Sequence, residues 1–521
     1  MNSTAILEGV GLGTGLEGLG WDGFLKEQTA VSWLAYAGAA TGVYCLWEQL
    51  KFRMYRKRQE GKEVPGPKSV VPLVGGIVEM VKDPYGFWEK QRKYADPGYS
   101  YNSLMGKLIV FATDVNLVRE TLMVNDPSRL TMALHPSAKT VLGANNLAFT
   151  YGDLHKAMRK SFLSLFTRKA LSMYVELQDA IIRRNIEKWL AQPGEHEVRD
   201  WIRDMNQETS QEVFVGPYLD DPAVKEKFGV AYRHLTDSFL AFPICFPGTA
   251  VWRGRQARFY ILSVLHKAVE RSWAYLQASA GGQPRCLLDF WTERCMADIS
   301  EAEEQGLPRP EHTSDERMAD AMLDFLFASQ DASTASLCWT LTLMADRPEI
   351  LAKVREEQQR LRGNDLGATL NGDMVGEMQY TRQVVKEILR YRPPAPMVIQ
   401  QTQCDYRLTD DYVVPKGGVI VPSISAACQQ GFSHPLTFDP DRFSPERKED
   451  IKFQRNFLTF GCGPHYCVGK EYATNHLMNF LAIVSMKCDW TRTRTPDSDK
   501  WKYLPTIYPH DSIISFSRRE A

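Results

Sequence analysis

The chain has 521 residues, of which 44% are hydrophobic, and its formal net charge is −1. A chain of this length and composition can bury a large core, and its near-neutral charge offers no basic surface for nucleic acid. Its ten cysteines lack the dense spacing of a small disulfide-stabilised protein, which favours a reducing compartment.

The first predicted element is a membrane anchor. Residues 28–47 carry no charged side chain, and a run of this length is just able to span a bilayer as a helix. Basic residues follow at 51, 53 and 56–58, so the rest of the chain should face the cytosol. The predicted organisation is a lumenal tail (1–27), a transmembrane anchor (28–48), a basic and proline-rich hinge (49–67) and a catalytic domain (68–521). The small residues at 37–39 leave a cleaved signal peptide as the alternative.

A long helix is predicted between Pro310 and Pro348, because this stretch contains neither proline nor glycine. Thr313 and Glu316 form a capping box that opens it. The centre of the helix is apolar nearly all round, which predicts burial, yet residues 329–331 and 333–334 are polar. A buried carboxylate needs partners and has a perturbed pKa, so Asp331 is a functional candidate, with a water-facing helix surface as the alternative.

A glycine-rich loop at residues 460–469 precedes the last predicted helix. Gly463 and Gly469 let the backbone approach a flat ligand, and backbone N–H groups and the helix dipole would stabilise a thiolate at Cys467. Phe460 offers an apolar face near the sulfur. The pattern indicates a thiolate bound to a haem iron, although an isolated cysteine is more often an ordinary core residue.

Together with two further motifs, this loop resembles that of the cytochrome P450 haem-thiolate monooxygenases. Residues 387–390 match the ExxR motif of that family, and residues 438–443 match its FxPxRF motif. The resemblance implies a mainly α fold with a small β lobe and a haem b whose iron is ligated by Cys467. It also implies a buried ion pair between Glu387 and Arg390, joined by Arg442.

The chain departs from the family pattern in the long helix. In most members of that family a threonine follows the acidic residue of this helix, whereas Ala332 follows Asp331 here. The alcohol is displaced by one residue, about 100° around the helix. The resemblance therefore assigns proton delivery to Asp331, Ser333 and water.

A second departure concerns the haem propionates. His465 stands where most members carry an arginine that reaches a propionate, and a histidine can still donate a hydrogen bond there. Residues 151–160 resemble the family helix written WxxxR, with His155 in the tryptophan position. His155 and Arg159 are thus further predicted propionate partners, and an ordinary basic helix face is the alternative.

Residues 166–171, 327–333 and 461–469 look like those of the sterol 22-desaturases of ergosterol and phytosterol biosynthesis. This narrower resemblance implies a sterol substrate, O2, an NADPH-dependent cytochrome P450 reductase and the endoplasmic reticulum membrane. The alternatives are another sterol- or lipid-oxidising member, such as a 14-alpha-demethylase or a hydroxylase, and a non-enzymatic haem or sterol carrier.

The resemblance also implies an apolar channel that holds the sterol side chain, because small displacements decide between alkene and alcohol products. Each candidate wall residue is on its own more often plain core. The candidates are Val141, Leu142, Leu147 and Phe149; Phe239, Phe242, Ile244 and Phe246; Ala328; Pro396, Met397, Val398 and Ile399; and Leu504 and Ile507.

Overall fold

The computed structural model describes residues 30–519 apart from 69, 97, 134, 279–281, 364, 366 and 504–505. The predicted lumenal tail (1–27) and the candidate Leu504 lie outside the described residues. Within them, long helices dominate and the strands are short, which confirms the predicted mainly α fold with a small β lobe.

The helices lie between Ala30 and Lys487, and short strands separate and follow them in the described part of the chain. They are α1 (Ala30–Tyr55), α2 (Ile77–Lys82), α3 (Pro84–Tyr94), α4 (Val115–Met123), α5 (Ala138–Leu142), α6 (Gly152–Ser161), α7 (Arg168–Leu190), α8 (Arg199–Phe214), α9 (Pro222–Ser238), α10 (Ala250–Ala278), α11 (Leu287–Glu304), α12 (Asp315–Ala345), α13 (Pro348–Arg362), α14 (Gly372–Glu377), α15 (Gln379–Tyr391), α16 (Ile424–Ala427), α17 (Glu449–Lys452) and α18 (Lys470–Lys487).

The strands form small sheets. They are β1 (Tyr99–Leu104), β2 (Lys107–Ala112), β3 (Leu130–Met132), β4 (His196–Glu197), β5 (Gln400–Thr402), β6 (Tyr406–Thr409), β7 (Tyr412–Val414), β8 (Val419–Pro422), β9 (Cys488–Arg492), β10 (Trp501–Tyr503), β11 (Ile507–Pro509) and β12 (Ile513–Arg518). A five-stranded sheet has the order β1-β2-β8-β5-β3, in which β2 and β8 are parallel, and a three-stranded sheet has the order β4-β12-β9. The pairs β6-β7 and β10-β11 are separate hairpins.

Helix α12 lies at the centre of the helical packing. Helices α8 and α18 pack against it, and α7 packs against both α8 and α18. Large apolar side chains of α12, such as Leu326, Leu337 and Trp339, are almost completely buried. Burial of each such side chain favours folding by about 1.5–3 kcal/mol, which explains why this helix is apolar on most sides. The predicted long buried helix is thus confirmed.

The start of α12 differs by one residue from the sequence prediction. The N-cap is Ser314, whose hydroxyl accepts a hydrogen bond from the N–H of Arg317. Thr313 instead lies in a short 3-10 turn, where its hydroxyl donates to the carbonyl of Pro310. The predicted capping box of Thr313 and Glu316 is therefore wrong, because Thr313 already has a partner within the preceding turn.

Helix α1 begins at Ala30, the first described residue, covers the predicted anchor from there on and continues into the predicted hinge. Its first half exposes large apolar side chains, whereas Glu48 and Phe52 in its second half are buried against the body. Glu48 accepts a hydrogen bond from the N–H of Leu73 at 2.6 Å. Among the described residues, no helix combines the length and the apolarity that a bilayer crossing demands, so the transmembrane prediction is not confirmed.

Candidate active site

The loop before α18 is shaped by glycines and by one backbone hydrogen bond. Gly463 has φ +76°, and a Cβ at this position would meet the carbonyl oxygen of Leu122 at 2.5 Å, so only glycine fits. The N–H of Cys467 donates to the carbonyl of Phe460 at 2.8 Å and closes the loop. Gly469 is the N-cap of α18, and nothing lies within 4 Å of where its Cβ would be. This side of the loop can therefore accommodate a flat ligand.

Cys467 lies deep in the protein, yet its side chain keeps an accessible surface. A residue that is both deep and accessible lines an internal cavity. Burial raises the pKa of the Cys467 thiol, whereas the N–H of Gly469 and the positive charge of Arg159 lower it. A metal cation bound to the sulfur would favour the thiolate further.

Two histidines meet beside the loop. The ring of His465 lies 4.2 Å from that of His155 in α6 and 5.2 Å from that of Tyr151, measured between ring centroids. The Nε2 atoms of both histidines are buried and lack a hydrogen-bond partner among the described residues. Burial lowers the pKa of both imidazoles, that of His465 to about 4, and the nearby Arg159 adds to the effect.

Arg159 reaches the same loop from α6. Its guanidinium donates to the carbonyl of Tyr466 at 2.8 Å and lies 4.3 Å from the centre of the Tyr466 ring. The structure thus brings all three predicted propionate partners, His155, Arg159 and His465, to one side of the loop. Two unpartnered buried imidazole nitrogens are costly unless a polar group binds them, and a haem carboxylate has that chemistry.

Asp331 in α12 contacts the C-terminal part of the chain. The hydroxyl of Tyr508 in β11 lies 3.1 Å from both the Asp331 carbonyl and its Oδ1, and donates to them. Thr506 donates to the same carbonyl at 3.2 Å. Burial raises the pKa of Asp331, while the positive charge of Arg203 in α8 and the Tyr508 hydrogen bond lower it.

Tyr508 and Arg203, as well as Tyr151 beside the histidines, were not predicted as site residues. Tyr508 and Arg203 lie more than 120 positions from Asp331 in the chain, and no local motif marks them. Tyr151 belongs to the segment that resembles WxxxR, and its position one turn before His155 could have indicated a shared face.

The structure does not bring Ser333 to Asp331. Side chains two residues apart on a helix do not face each other. Ser333 is buried, and within the described part of the chain its hydroxyl has no hydrogen bond. The next hydroxyl, that of Thr334, donates to the carbonyl of Gln330 at 2.7 Å and accepts from Asn206. A joint role of Asp331 and Ser333 would therefore need intervening water.

Ala328 is exposed although most of α12 is buried, so this turn of the helix borders an open cavity. Of the other predicted walls, Phe149 is half-buried against the core that contains Val141 and Leu142. Val141 and Leu142 are only 0% and 2% exposed, so substrate contact at these two residues stays a prediction.

The remaining candidate walls have different environments. Phe242 and Phe246 are 71% and 68% exposed between α9 and α10, and Met397 and Val398 are half-buried beside the five-stranded sheet. Ile507 is buried, and its carbonyl accepts a hydrogen bond from the Trp339 indole. Substrate contact at these positions also stays a prediction.

A buried ion cluster supports the cysteine loop. The guanidinium of Arg390 donates to both oxygens of Glu387 at 2.7 and 2.8 Å, and Arg442 donates to Glu387 at 3.1 Å. All three side chains are at most 1% exposed. Both arginines also donate to backbone carbonyls of residues 428–437, and Asp439 donates its N–H to Glu387.

The cluster extends to Glu449 and to the loop itself. Arg442 donates to Glu449 at 3.1 Å. Burial alone would raise the pKa of Glu449, but hydrogen bonds from Ser433, Arg447 and Arg442 bring it to about 2. Thr459, the residue before Phe460, donates to the carbonyl of Leu389 at 3.2 Å. The ExxR helix α15 is thus tied directly to the start of the loop.

The loop around Cys467 is compatible with a haem-thiolate type of site, because it keeps the sulfur accessible beside two imidazole nitrogens that have no hydrogen-bond partner among the described residues. Comparison with known proteins agrees, because the sequence model of the family "Cytochrome P450" matches residues 64–511. The chain belongs to the cytochrome P450 family, whose members are oxidoreductases that carry haem b with a cysteine thiolate on the iron.

The relatives include Cytochrome P450 710A4 of Arabidopsis thaliana, which is 40% identical over 92% of this chain and 96% of the relative. The C-22 sterol desaturase erg5 of Aspergillus fumigatus is 33% identical over 85% of this chain and 87% of the relative. The C-22 sterol desaturase ERG5 of Saccharomyces cerevisiae is 30% identical over 95% of this chain and 92% of the relative. Among solved structures, retinoic acid-bound cyanobacterial CYP120A1 has the same fold. The TM-score is 0.72 at 22% sequence identity, over 88% of this chain and 100% of that structure.

The ion cluster gives the first prediction. Glu387→Gln leaves the charges of Arg390 and Arg442 buried with less compensation, so the free energy of unfolding should fall by about 3–5 kcal/mol. Denaturant unfolding followed by circular dichroism measures this loss, and the haem content should fall with it. Glu377→Gln, at the exposed end of α14, is the matched control and should stay within about 0.5 kcal/mol of the wild type. Equal stability of the two variants would contradict the role of the cluster.

Proposed function

We propose that this protein is a haem-thiolate enzyme that introduces the 22,23 double bond into a sterol side chain. The observation that carries the proposal is the similarity to two proteins named C-22 sterol desaturase over at least 85% of both chains. O2 and electrons from an NADPH-dependent cytochrome P450 reductase are the proposed co-reactants. Another sterol- or lipid-oxidising P450 activity, 14-alpha-demethylation or hydroxylation, is the alternative.

In this proposal the loop residues hold the cofactor. Cys467 is the iron ligand, Gly463 and Gly469 keep the backbone clear of the ring, and Phe460 covers the sulfur on its apolar side. His155, His465 and Arg159 bind the propionates. The buried Nε2 atoms of the two imidazoles support this assignment, because they have no hydrogen-bond partner in the described part of the chain. When bound, haem supplies the activation of dioxygen that side chains alone cannot provide.

Asp331 is the proposed residue of proton transfer. Its Oδ1 has a hydrogen bond from Tyr508, its pKa is raised mainly by burial, and it lies three residues from the exposed Ala328. A carboxyl with a raised pKa can both hold and release a proton near neutral pH. Ser333, the second candidate, faces away from Asp331 and would act through water.

The channel residues set the outcome of the reaction. Desaturation needs hydrogen to be removed from two neighbouring carbons, whereas hydroxylation replaces one hydrogen. A sterol side chain that is held rigidly favours the alkene, since displacements of about 1 Å change reaction rates by orders of magnitude. Ala328, Phe149 and the segment 397–398 are the proposed walls near the reacting carbons.

We place the enzyme at the endoplasmic reticulum membrane with the catalytic domain in the cytosol. Side chains of α1 such as Leu34 and Val43 are 73% and 70% exposed, and contact with lipid would remove that apolar surface from water. Phe242 and Phe246 form a second exposed apolar group that could contact lipid. The basic residues after position 50 suit an anionic cytosolic membrane surface.

The proposed reaction predicts a specific product. The purified protein, its reductase and NADPH should convert a sterol that is saturated at carbons 22 and 23 into the 22-alkene, as measured by gas chromatography and mass spectrometry. Cys467→Ser should lose both the thiolate-type spectrum of the reduced carbon monoxide complex and the product. An alcohol or a demethylated sterol as the main product would refute desaturation, and a chain that binds haem without any turnover would indicate a carrier.

The proton-transfer proposal predicts uncoupling. Asp331→Asn should lower the sterol product formed per NADPH by about tenfold or more and raise hydrogen peroxide release, because the amide cannot deliver a proton. Ser333→Ala should have the smaller effect, since its hydroxyl faces away from Asp331. Asp315→Asn, in the exposed first turn of the same helix, is the control. Normal coupling in Asp331→Asn would end the proposal.

Membrane association through α1 is testable with the full chain. Replacing Leu34, Val43 and Leu46 by serine should strongly reduce co-flotation with phosphatidylcholine vesicles, because these side chains supply exposed apolar area. The control replaces three apolar residues of the body, which are 54–62% exposed against 63–73% for the α1 residues, by serine. These are Val230, Leu307 and Leu436. Unchanged flotation of the α1 variant would refute the proposal, and alkaline carbonate extraction would separate spanning from surface attachment.

A further inference from the structure

Two aspartates of α12, one helical turn apart, bind the loop between α5 and α6. Asp320 accepts from the Asn145 amide at 2.9 Å and from the Arg258 guanidinium of α10 at 2.7 Å. Asp324 accepts from the backbone N–H of Leu147 at 2.8 Å and from the Asn146 amide. None of the functions described above uses these two carboxylates.

The third side of this connection is Arg258. Its Nε donates to the carbonyl of Leu142 at 3.0 Å, so α5, α10 and α12 meet through one guanidinium. Gly143 makes this approach possible, because it has φ +94° and a Cβ there would lie 2.3 Å from the guanidinium. The side chains of Arg258 and Asp320 are only 15% and 7% exposed, which makes their ion pair stronger than one on the surface.

The loop residues bound by Asp324 lead directly to the cavity side of the molecule. Leu147 starts the 3-10 turn that ends with Phe149, a candidate wall of the substrate channel. Asp324 lies one turn before Ala328 on the same face of α12. Burial raises the pKa of Asp324, whereas the Leu147 N–H and the Asn146 amide lower it by binding the ionised form.

We infer that Asp324 is a positioning residue that sets the distance between the Leu147–Phe149 turn and Ala328, and thereby the ratio of products that a bound side chain gives. The inference rests on the proposed function for its readout. Asp324 acts through the loop and does not touch the reacting carbons. Asp320 and Arg258 hold the preceding part of the loop in place.

The hydrogen bonds of Asp324 and Asn146 suggest a test of this role by exchanging the two side chains. In Asp324→Asn the new side chain has one oxygen and one NH2 group. One of the two loop donors, the Leu147 N–H or the Asn146 amide, then faces a donor and loses its acceptor. The Asn146 amide cannot simply turn over, because its oxygen accepts from the N–H of Ala148 at 2.9 Å and caps the 3-10 turn. The double variant Asp324→Asn with Asn146→Asp exchanges the carboxylate and the amide, so that each donor again has an acceptor.

The measurement uses the full-length holoenzyme with its reductase and a sterol saturated at carbons 22 and 23. Asp324→Asn should lower kcat/KM by about tenfold and raise the fraction of alcohol over alkene, while the haem content and the carbon monoxide spectrum stay normal. The double variant should restore the product ratio. Asn146→Ser keeps an oxygen that can cap the N–H of Ala148 but loses the amide N–H that reaches Asp324. It should shift the ratio in the same direction and serves if Asp324→Asn does not fold.

The outcomes separate the two proposals. A wild-type product ratio in Asp324→Asn, or a shifted ratio that the double variant does not restore, overturns the positioning role. If the wild type forms no 22-alkene, the proposed function fails, and the positioning role is then judged on the ratio of positional isomers among the products that the wild type does form. Asp315→Asn is the matched control on the same helix and should leave the product ratio unchanged.

Discussion

The buried cluster around Glu387 is the interaction on which the position of the cysteine depends. Charges at this depth are tolerated only when every N–H donor finds an acceptor. The Glu387 carboxylate cannot accept from all the N–H groups of Arg390 and Arg442, and backbone carbonyls of residues 428–437 accept from the others. Those carbonyls belong to the segment that leads to the loop, and Thr459 adds a direct bond to α15. The cluster therefore fixes an irregular stretch of chain that has little regular structure of its own, and it holds Cys467 with it.

Helix α12 has a second organising role, because its polar residues point to different partners. On an ideal helix Asp320, Asp324, Ala328 and Asp331 fall within about 80° of one another. The first two bind the loop that precedes α6, and the last binds β11. Ala328 lies between these contacts, so the small side chain that borders the cavity is flanked on both sides by rigid hydrogen bonds. Thr334 lies about 60° from Asp331 on the same ideal helix and accepts a hydrogen bond from Asn206 of α8. The polar residues on this side of α12 therefore tie the helix to several distant parts of the chain.

The sequence was sufficient for features that depend on local spacing. Three features were predicted because each depends on residues that are close together in the sequence. They are the glycine positions of the cysteine loop, the Glu387–Arg390 spacing and the long apolar run of α12. It was insufficient where partners come from afar, as with Tyr508 and Arg203 beside Asp331, or Arg258 beside Asp320. The cap of α12 was misplaced because two adjacent hydroxyls compete, and only the preceding turn decides between them. The role of Ser333 stays a prediction, because its hydroxyl lies on a different side of α12 from the Asp331 carboxylate and would act through water.

The contrast between the ion cluster and the histidine pair distinguishes a structural polar group from a ligand-binding one. Around Glu387 the carboxylate and both guanidinium groups have partners, so the cluster is complete without any further molecule. His155 is buried and His465 half-buried, yet among the described residues the Nε2 atom of each is buried without a hydrogen-bond partner, and an unsatisfied buried group costs about 1–3 kcal/mol. A fold that retains such a cost in the same place as an accessible deep cysteine has a site shaped for a group that carries both a metal ion and carboxylates. The free energy of binding that group then offsets the cost, which couples the stability of α6 and of the loop to occupancy of the site.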